Sequence, residues 1–184
     1  MKYLALIALV LSVTACAPQE TNQDGVSQVN TSAIEQSDVR NIRAVAPGLF
    51  AGGQPSEAQI QFLAANGVKH VVNLRPDSEQ SFDEASVVSE AGMTYHQLAI
   101  AGGSDISVEN AIALRTLLAD NQGEATLVHC ASGNRVGALM AIGAHVIDGE
   151  SIEQSLEIGR SWGLTRLDGR VIEVINDYDT VNAP

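Results

Sequence analysis

The chain of 184 residues has a composition typical of one globular domain. Hydrophobic residues make up 45% of it, which is enough for a substantial core, and a second domain is not expected. The formal net charge of −12 argues against nucleic acid or an anionic membrane surface as a partner. An anion would therefore have to be bound by local geometry, against the overall field.

The first residues have the pattern of a bacterial export signal. Lys2 is followed by an apolar run from Leu4 to Val13, which is too short for a permanent membrane-spanning helix. The tetrad "VTAC", ending at Cys16, resembles the lipobox of bacterial lipoproteins, in which the cysteine carries the lipid. Ordinary signal cleavage with loss of Cys16 is the alternative. Both predict export, and the resemblance implies a lipid anchor in the periplasm of a Gram-negative cell, with no other membrane contact.

The sequence predicts three segments. Residues 1–15 are the expected signal peptide, and residues 16–37 are polar and without periodicity, which is typical of a flexible tether. Residues 38–184 are the expected folded domain. If Cys16 is lipidated or lost, Cys130 is the only remaining thiol and has no disulfide partner.

Helices and strands alternate along the domain. A helix capped by Ser56 is followed by the strand "VKHVVNLR", a helix over 82–91 by "MTYHQLAI", and a helix capped by Ser107 by "ATLVHC". Three helices then follow, over 136–147, 151–161 and 167–178. This alternation predicts an α/β fold with a mostly parallel central sheet and helices on both faces.

The stretch "VHCASGNRVGALM" lies where the last predicted strand meets a helix, at the sheet edge where such folds bind ligands. A helix N-terminus offers unpaired N–H groups and positive potential, which favours the thiolate form of Cys130. Arg135 can grip two oxygens of a tetrahedral anion. His129 is a candidate substrate-binding residue, since it could add to the field around the anion, and it could also orient the loop. The residues between the cysteine and the arginine, which would line an oxyanion site, are Ala131, Ser132, Gly133 and Asn134.

The motif "HCASGNRVG" resembles the signature loop of cysteine-dependent tyrosine and dual-specificity phosphatases. Together with "PGLFAGGQPS" and "GVKHVVNLRPDSE", it is similar to the bacterial branch related to the beta-lactamase-hydrolase-associated domain, over about residues 40–165. The resemblance implies a three-layer phosphatase-like fold and hydrolysis of a phosphorylated protein or small molecule, without metal or cofactor. By the same resemblance Cys130 is the nucleophile that forms a phosphocysteine, and Arg135 is the phosphate clamp.

The leaving oxygen also needs an acid. Asp105, in "AGGSDIS" and 25 residues before Cys130, is the preferred candidate, although it could instead cap the helix that begins near Ser107. Asp77 in "RPDSE" is the second candidate.

Two departures from the phosphatase pattern keep other functions open. Four residues rather than five separate Cys130 from Arg135, and Val136 stands where many phosphatases have Ser or Thr. A six-residue loop also resembles that of rhodanese-type sulfurtransferases, in which the cysteine carries a persulfide. A module that binds an anion without turnover is the third possibility. The histidines show no paired spacing that would indicate a metal site.

Overall fold

The computed structural model describes residues 29–183. Two short 3-10 turns, at Asp77–Glu79 and Gly103–Asp105, accompany the regular elements. These elements are α1 (Thr31–Glu35), β1 (Arg43–Ala46), β2 (Leu49–Gly52), α2 (Glu57–Ala65), β3 (His70–Asn73), α3 (Glu84–Glu90), β4 (Thr94–Gln97), α4 (Val108–Asp120), β5 (Thr126–His129), α5 (Asn134–Val146), α6 (Ile152–Ser161) and α7 (Asp168–Asn182).

Serine caps fix the starts of three helices. Ser56 and Gln59 form a reciprocal capping box at α2, and Ser151 and Gln154 form another at α6. The hydroxyl of Ser107 accepts the Asn110 N–H at the start of α4. The helix starts predicted at Ser56 and Ser107 are confirmed because these signals are local.

The sheet has the order β1-β2-β5-β3-β4, so β5 lies at its centre. The pairs β2–β5, β3–β5 and β3–β4 are parallel, and the β1–β2 hairpin is antiparallel. The prediction of a mostly parallel sheet is confirmed. The hairpin itself was not predicted, because two four-residue strands around a Pro47-Gly48 turn give too short a pattern to be recognised.

Helices cover both faces of the sheet, which confirms the three-layer fold. Neighbouring strand residues alternate between the faces. The face toward α1, α2 and α3 carries Phe50, Val71 and Leu127. The face toward α4, α5, α6 and α7 carries Ala51, Val72 and Val128.

The folded part begins earlier than the predicted boundary at residue 38. Ile34 of α1 is fully buried, and the Asn30 N–H donates to the Asn66 carbonyl at 3.0 Å. The predicted tether is therefore too long at its C-terminal end, because a five-residue helix with one buried side chain shows no periodicity. The predicted signal peptide, Cys16 and the first part of the tether lie outside the described residues. Within residues 29–183, no helix has the length and apolarity needed to span a membrane.

Glycines allow α5 and α6 to pack in direct backbone contact. A Cβ on Gly137 would lie 2.1 Å from the Leu164 nitrogen, and one on Gly159 would lie 2.7 Å from the Gly137 carbonyl oxygen. Gly163, with φ +113°, continues this contact: its Cβ would lie 2.9 Å from the Gly133 carbonyl oxygen. The α6–α7 connection is thereby held against the start of α5.

Candidate active site

The cysteine loop, residues 130–135, joins the C-terminal end of β5 to α5, as predicted. Cys130 is 1% exposed, and its N–H donates to the Gly52 carbonyl of the neighbouring strand at 3.4 Å. Gly133 has φ +90°, and its N–H donates to Cys130 Sγ at 3.1 Å. The glycine conformation thus turns a peptide N–H toward the sulfur.

Arg135 is fixed by protein groups. Its Nη1 donates to Glu79 Oε1 at 3.0 Å, and its Nη2 donates to Glu79 Oε2 at 2.6 Å. Nη1 also donates to the Ile100 carbonyl at 2.5 Å. Because two planar groups face each other in a fork, these contacts orient the guanidinium.

The Arg135–Glu79 pair alters the ionisation of both groups. Hydrogen bonding from Arg135 holds the pKa of Glu79 below its usual value, although partial burial of the carboxylate opposes this. Burial disfavours the charge on Arg135, but the hydrogen bond to Glu79 and the proximity of Cys130 outweigh it and raise the pKa of Arg135. Arg135 therefore remains a cation beside the sulfur.

His129 was predicted to contact substrate, and this prediction is wrong. Its side chain is fully buried beneath the loop, with Nε2 2.8 Å from Glu84 Oε1. Glu84 Oε2 accepts from Asn73 Nδ2 at 2.7 Å and from Gln54 Nε2 at 3.0 Å. These four residues, Gln54, Asn73, Glu84 and His129, form a polar cluster behind β5. The His129 side chain therefore faces Glu84 behind the loop, and its orienting role stays a prediction.

Asp105 closes its own loop. Its Oδ2 accepts the Ala101 N–H at 2.7 Å, and its carbonyl accepts from Asn110 Nδ2 at 2.8 Å. Ser107, not Asp105, caps α4, so the capping alternative is wrong. The Asp105 loop begins just after Ile100, whose carbonyl is bound by Arg135, and this contact links that loop to the cysteine loop.

Asp77, the second candidate acid, is exposed. Its Oδ1 accepts from Gln97 Nε2 at 2.8 Å and from Gln80 Nε2 at 3.2 Å. Two amide side chains thus hold this carboxylate in place. Neither Asp77 nor Asp105 hydrogen-bonds to Cys130 or Arg135 among the described residues.

The remaining loop residues have different surroundings. Asn134 Oδ1 accepts from the Thr165 N–H at 2.7 Å, the Thr165 hydroxyl at 3.1 Å and the Arg166 N–H at 3.0 Å, so this side chain anchors α5 to the α6–α7 connection. Ser132 forms an isolated antiparallel bridge with Gly53. Ala131 is exposed and Gly133 is buried. The side-chain oxygen of Asn134 is therefore engaged by the α6–α7 connection.

Sequence reasoning missed three residues that support the loop. Glu79 stands four positions after Arg75, whose Nε lies 3.5 Å from Glu79 Oε2, but the pair lies in an irregular turn rather than a helix. Glu84 looked like an ordinary acidic residue in a first helical turn. Asn41 gave no signal, since its partner, Ser132, is distant in sequence.

The other histidines pair with each other or with carboxylates. His70 Nδ1 lies 3.1 Å from His96 Nε2, and His70 Nε2 lies 2.6 Å from Glu124 Oε2. In the part of the chain that the structure describes, no group of three or more His, Cys, Asp or Glu side chains could hold a metal ion.

The family follows from the sequence match over most of the chain. The model of the family described as DSP-PTPase phosphatase fused to NAD+ kinase matches residues 18–166. The chain belongs to this family. The chain is also similar to a curated relative. It is 31% identical, over 121 residues, to the beta-lactamase hydrolase-like protein of Xylella fastidiosa (strain Temecula1). That match covers 62% of this chain and 27% of the relative, so the chain spans about a quarter of the curated relative's length.

Solved structures share the DSP-PTPase fold. The DUF442 protein of Shewanella putrefaciens CN-32 is 23% identical, with a TM-score of 0.59 over 78% of this chain and 94% of that one. Tk-PTP in its active form is 18% identical, with a TM-score of 0.62 over 76% of this chain and 96% of that one. At these identities the likeness establishes the fold, and the recognition of a phosphatase-like fold from the loop motif is confirmed.

Proposed function

We propose that the protein is a cysteine-dependent phosphatase that hydrolyses phosphomonoesters through a phosphocysteine on Cys130. The observation that carries this proposal is the convergence on one sulfur of the Gly133 N–H, at 3.1 Å, and of the Arg135 cation. A sulfur that accepts a peptide N–H and lies beside a fixed guanidinium suits nucleophilic attack on a dianionic phosphoryl group.

The reaction takes two steps. In the first, Cys130 Sγ attacks phosphorus in line, the S–P bond forms, and the P–O bond to the leaving group breaks. The leaving oxygen takes a proton, for which Asp105 is the proposed donor. In the second, water attacks phosphorus and gives a proton to the Asp105 carboxylate left by the first step, the S–P bond breaks, inorganic phosphate leaves and the thiolate returns. Arg135 and the loop N–H groups stabilise the charge on the phosphoryl oxygens in both steps.

Proteins of the same fold support a phosphorylated substrate. TpbA of P. aeruginosa has been solved in complex with pTyr, with a TM-score of 0.50. PTPMT1 has been solved in complex with PI(5)P, with a TM-score of 0.59. The substrate class proposed here is therefore a phosphomonoester, either phosphotyrosine in a protein or a small molecule.

Hydrolysis of para-nitrophenyl phosphate by the purified protein under reducing conditions tests the proposal. We expect Cys130→Ser and Arg135→Ala each to lower kcat/KM by roughly 1,000-fold or more, since each removes a group needed in the transition state. Arg115→Ala, which removes a surface ion pair with Asp148, is the control and should leave turnover unchanged. Asp105→Asn should slow alkyl esters more than activated aryl esters, because only poor leaving groups need the proton. Turnover that persists in Cys130→Ser would exclude the phosphocysteine.

Sulfurtransfer is the second candidate, because Ala131, Ser132, Gly133 and Asn134 leave the loop one donor shorter than the phosphatase pattern. If wild type does not hydrolyse the ester, intact mass after incubation with thiosulfate decides. A gain of about 32 Da at Cys130 indicates a persulfide. Phosphate binding by calorimetry, without turnover or mass gain, would indicate the binding module.

A lipid anchor in the periplasm remains a proposal of the same kind, supported by the lipobox-like tetrad that ends at Cys16. In Gram-negative cells, the wild-type chain should fractionate with membranes and incorporate labelled palmitate. Cys16→Ser should lose the label. Unlabelled wild type found in the cytoplasm would contradict both export and anchoring.

A further inference from the structure

Asn41, just before β1, hydrogen-bonds to the cysteine loop. Its Nδ2 donates to the Ser132 carbonyl at 3.0 Å, across a separation of 91 residues in sequence. The neighbouring Arg40 carbonyl accepts the Gly53 N–H at 2.7 Å, and Gly53 in turn forms the bridge with Ser132. The segment before β1 is thus connected to Ser132 directly through Asn41 and indirectly through Gly53.

The carbonyl that Asn41 binds belongs to the peptide whose N–H faces the sulfur. That peptide joins Ser132 to Gly133, and the Gly133 N–H donates to Cys130 Sγ at 3.1 Å. A trans peptide is planar, and its C=O and N–H point in opposite directions. A donor that holds the carbonyl on one side therefore holds the N–H toward Cys130 on the other, and it also polarises that N–H.

The backbone of Asn41 is unusual in a way that fits this contact. It has φ +54°, and it is the one non-glycine residue with positive φ among residues 29–183. Asparagine tolerates this region better than most residues with a side chain. Glycine would tolerate it equally well but could not donate to the Ser132 carbonyl, so the position combines a backbone requirement with a side-chain function.

We propose that Asn41 is a positioning residue for the nucleophile: by holding the Ser132–Gly133 peptide it keeps the Gly133 N–H directed at Cys130 Sγ and so favours the thiolate. The phosphatase activity proposed above would use this thiolate, but the proposal concerns the ionisation of the thiol and can be measured without turnover.

Alkylation of Cys130 by iodoacetamide as a function of pH is the test, because only the thiolate reacts. Asn41→Gly keeps the backbone conformation and removes the donor. Asn41→Asp keeps the size but sets a carboxylate against the Ser132 carbonyl. Asn176→Asp, exposed on α7, is the control for an added negative charge. Circular dichroism and thermal unfolding of each full-length variant establish that it is folded.

The midpoint of the alkylation profile should move to higher pH by about 0.5 unit in Asn41→Gly and by about 1 unit in Asn41→Asp. The control should keep the wild-type midpoint. The positioning role would be overturned if both folded Asn41 variants kept a midpoint within about 0.2 pH unit of wild type and lost only thermal stability. This limit corresponds to about 0.3 kcal/mol of thiolate stabilisation.

Turnover separates this inference from the proposed function. If para-nitrophenyl phosphate is hydrolysed, Asn41→Gly should lower kcat by about 3- to 10-fold and change KM less, since the contact acts on the nucleophile rather than on substrate binding. If wild type does not hydrolyse the ester, the phosphatase proposal fails while the alkylation profile still supports or overturns the role of Asn41.

Discussion

On one side of the cysteine loop lies the buried polar cluster of Gln54, Asn73, Glu84 and His129, whereas on the other side the loop rests on the glycine contact between α5 and α6. The polar cluster is held by hydrogen bonds at 2.7 to 3.0 Å, so it depends on the identity of single atoms. The glycine contact depends on the absence of side-chain atoms, because a Cβ at these positions would lie too close to the facing backbone. The loop is therefore sensitive to chemistry on one side and to volume on the other.

The largest effect should come from adding volume. Gly137→Ala places a Cβ 2.1 Å from the Leu164 nitrogen and 2.5 Å from the Gly159 carbonyl oxygen, both backbone atoms. We expect a loss of about 4 kcal/mol or more in the free energy of unfolding, measured by urea denaturation. Gly143→Ala, in the same helix, meets only the Arg115 side chain at 3.0 Å and should change stability by about 1 kcal/mol or less. Similar losses in both variants would contradict the volume argument.

A change of one atom type in the polar cluster should have the next largest effect. Glu84 is 1% exposed, and Glu84→Gln keeps its shape but removes the charge and replaces one of its two acceptor oxygens, which face Asn73, Gln54 and His129, by an amide NH₂. We expect a loss of about 2 to 3 kcal/mol by urea denaturation. Glu90→Gln, exposed on the same helix, is the control and should stay within about 0.5 kcal/mol. If Glu84→Gln left the free energy of unfolding unchanged, the polar cluster would not be what holds His129.

The smallest effect should come from the partly exposed pair of Glu79 and Arg135. The folded state lowers the pKa of Glu79 from its ordinary 4.5, so the pair stabilises the protein above that pH and loses its contribution as the pH falls through the lower, folded value. At pH 7, Glu79→Gln should cost about 1 kcal/mol or less, because the Glu79 side chain is 33% exposed.

Urea denaturation of Glu79→Gln and wild type between pH 3 and 7 measures this contribution. The difference between the two proteins should shrink toward the acid end. A difference that grows as the pH falls would contradict the assigned direction of the Glu79 shift.

Local signals account for what the sequence predicts well. The caps at Ser56 and Ser107 and the loop with Cys130 are recognisable within a few residues, and each lies where it was expected. Parallel pairing of the strands follows from their alternation with helices.

Contacts between distant segments account for what the sequence does not predict. Glu84 meets His129, and Asn41 meets Ser132, only after β2, β3 and β5 have paired side by side. Substrate contact by His129 was predicted because the residue before a nucleophile can face either the ligand or the core, and the local sequence does not distinguish the two. The buried carboxylate of Glu84 decides this, and it lies 45 positions earlier in the chain.

The fork between Arg135 and Glu79 also bears on the entropy of ligand binding. An arginine side chain has roughly 2 kcal/mol of rotamer freedom, and in most surface sites an incoming anion must freeze it. Here Glu79 and the Ile100 carbonyl have already restricted the guanidinium during folding. An oxyanion that enters the loop therefore meets a receptor ordered in advance, and its binding should show a smaller entropic penalty than an unrestrained arginine would impose.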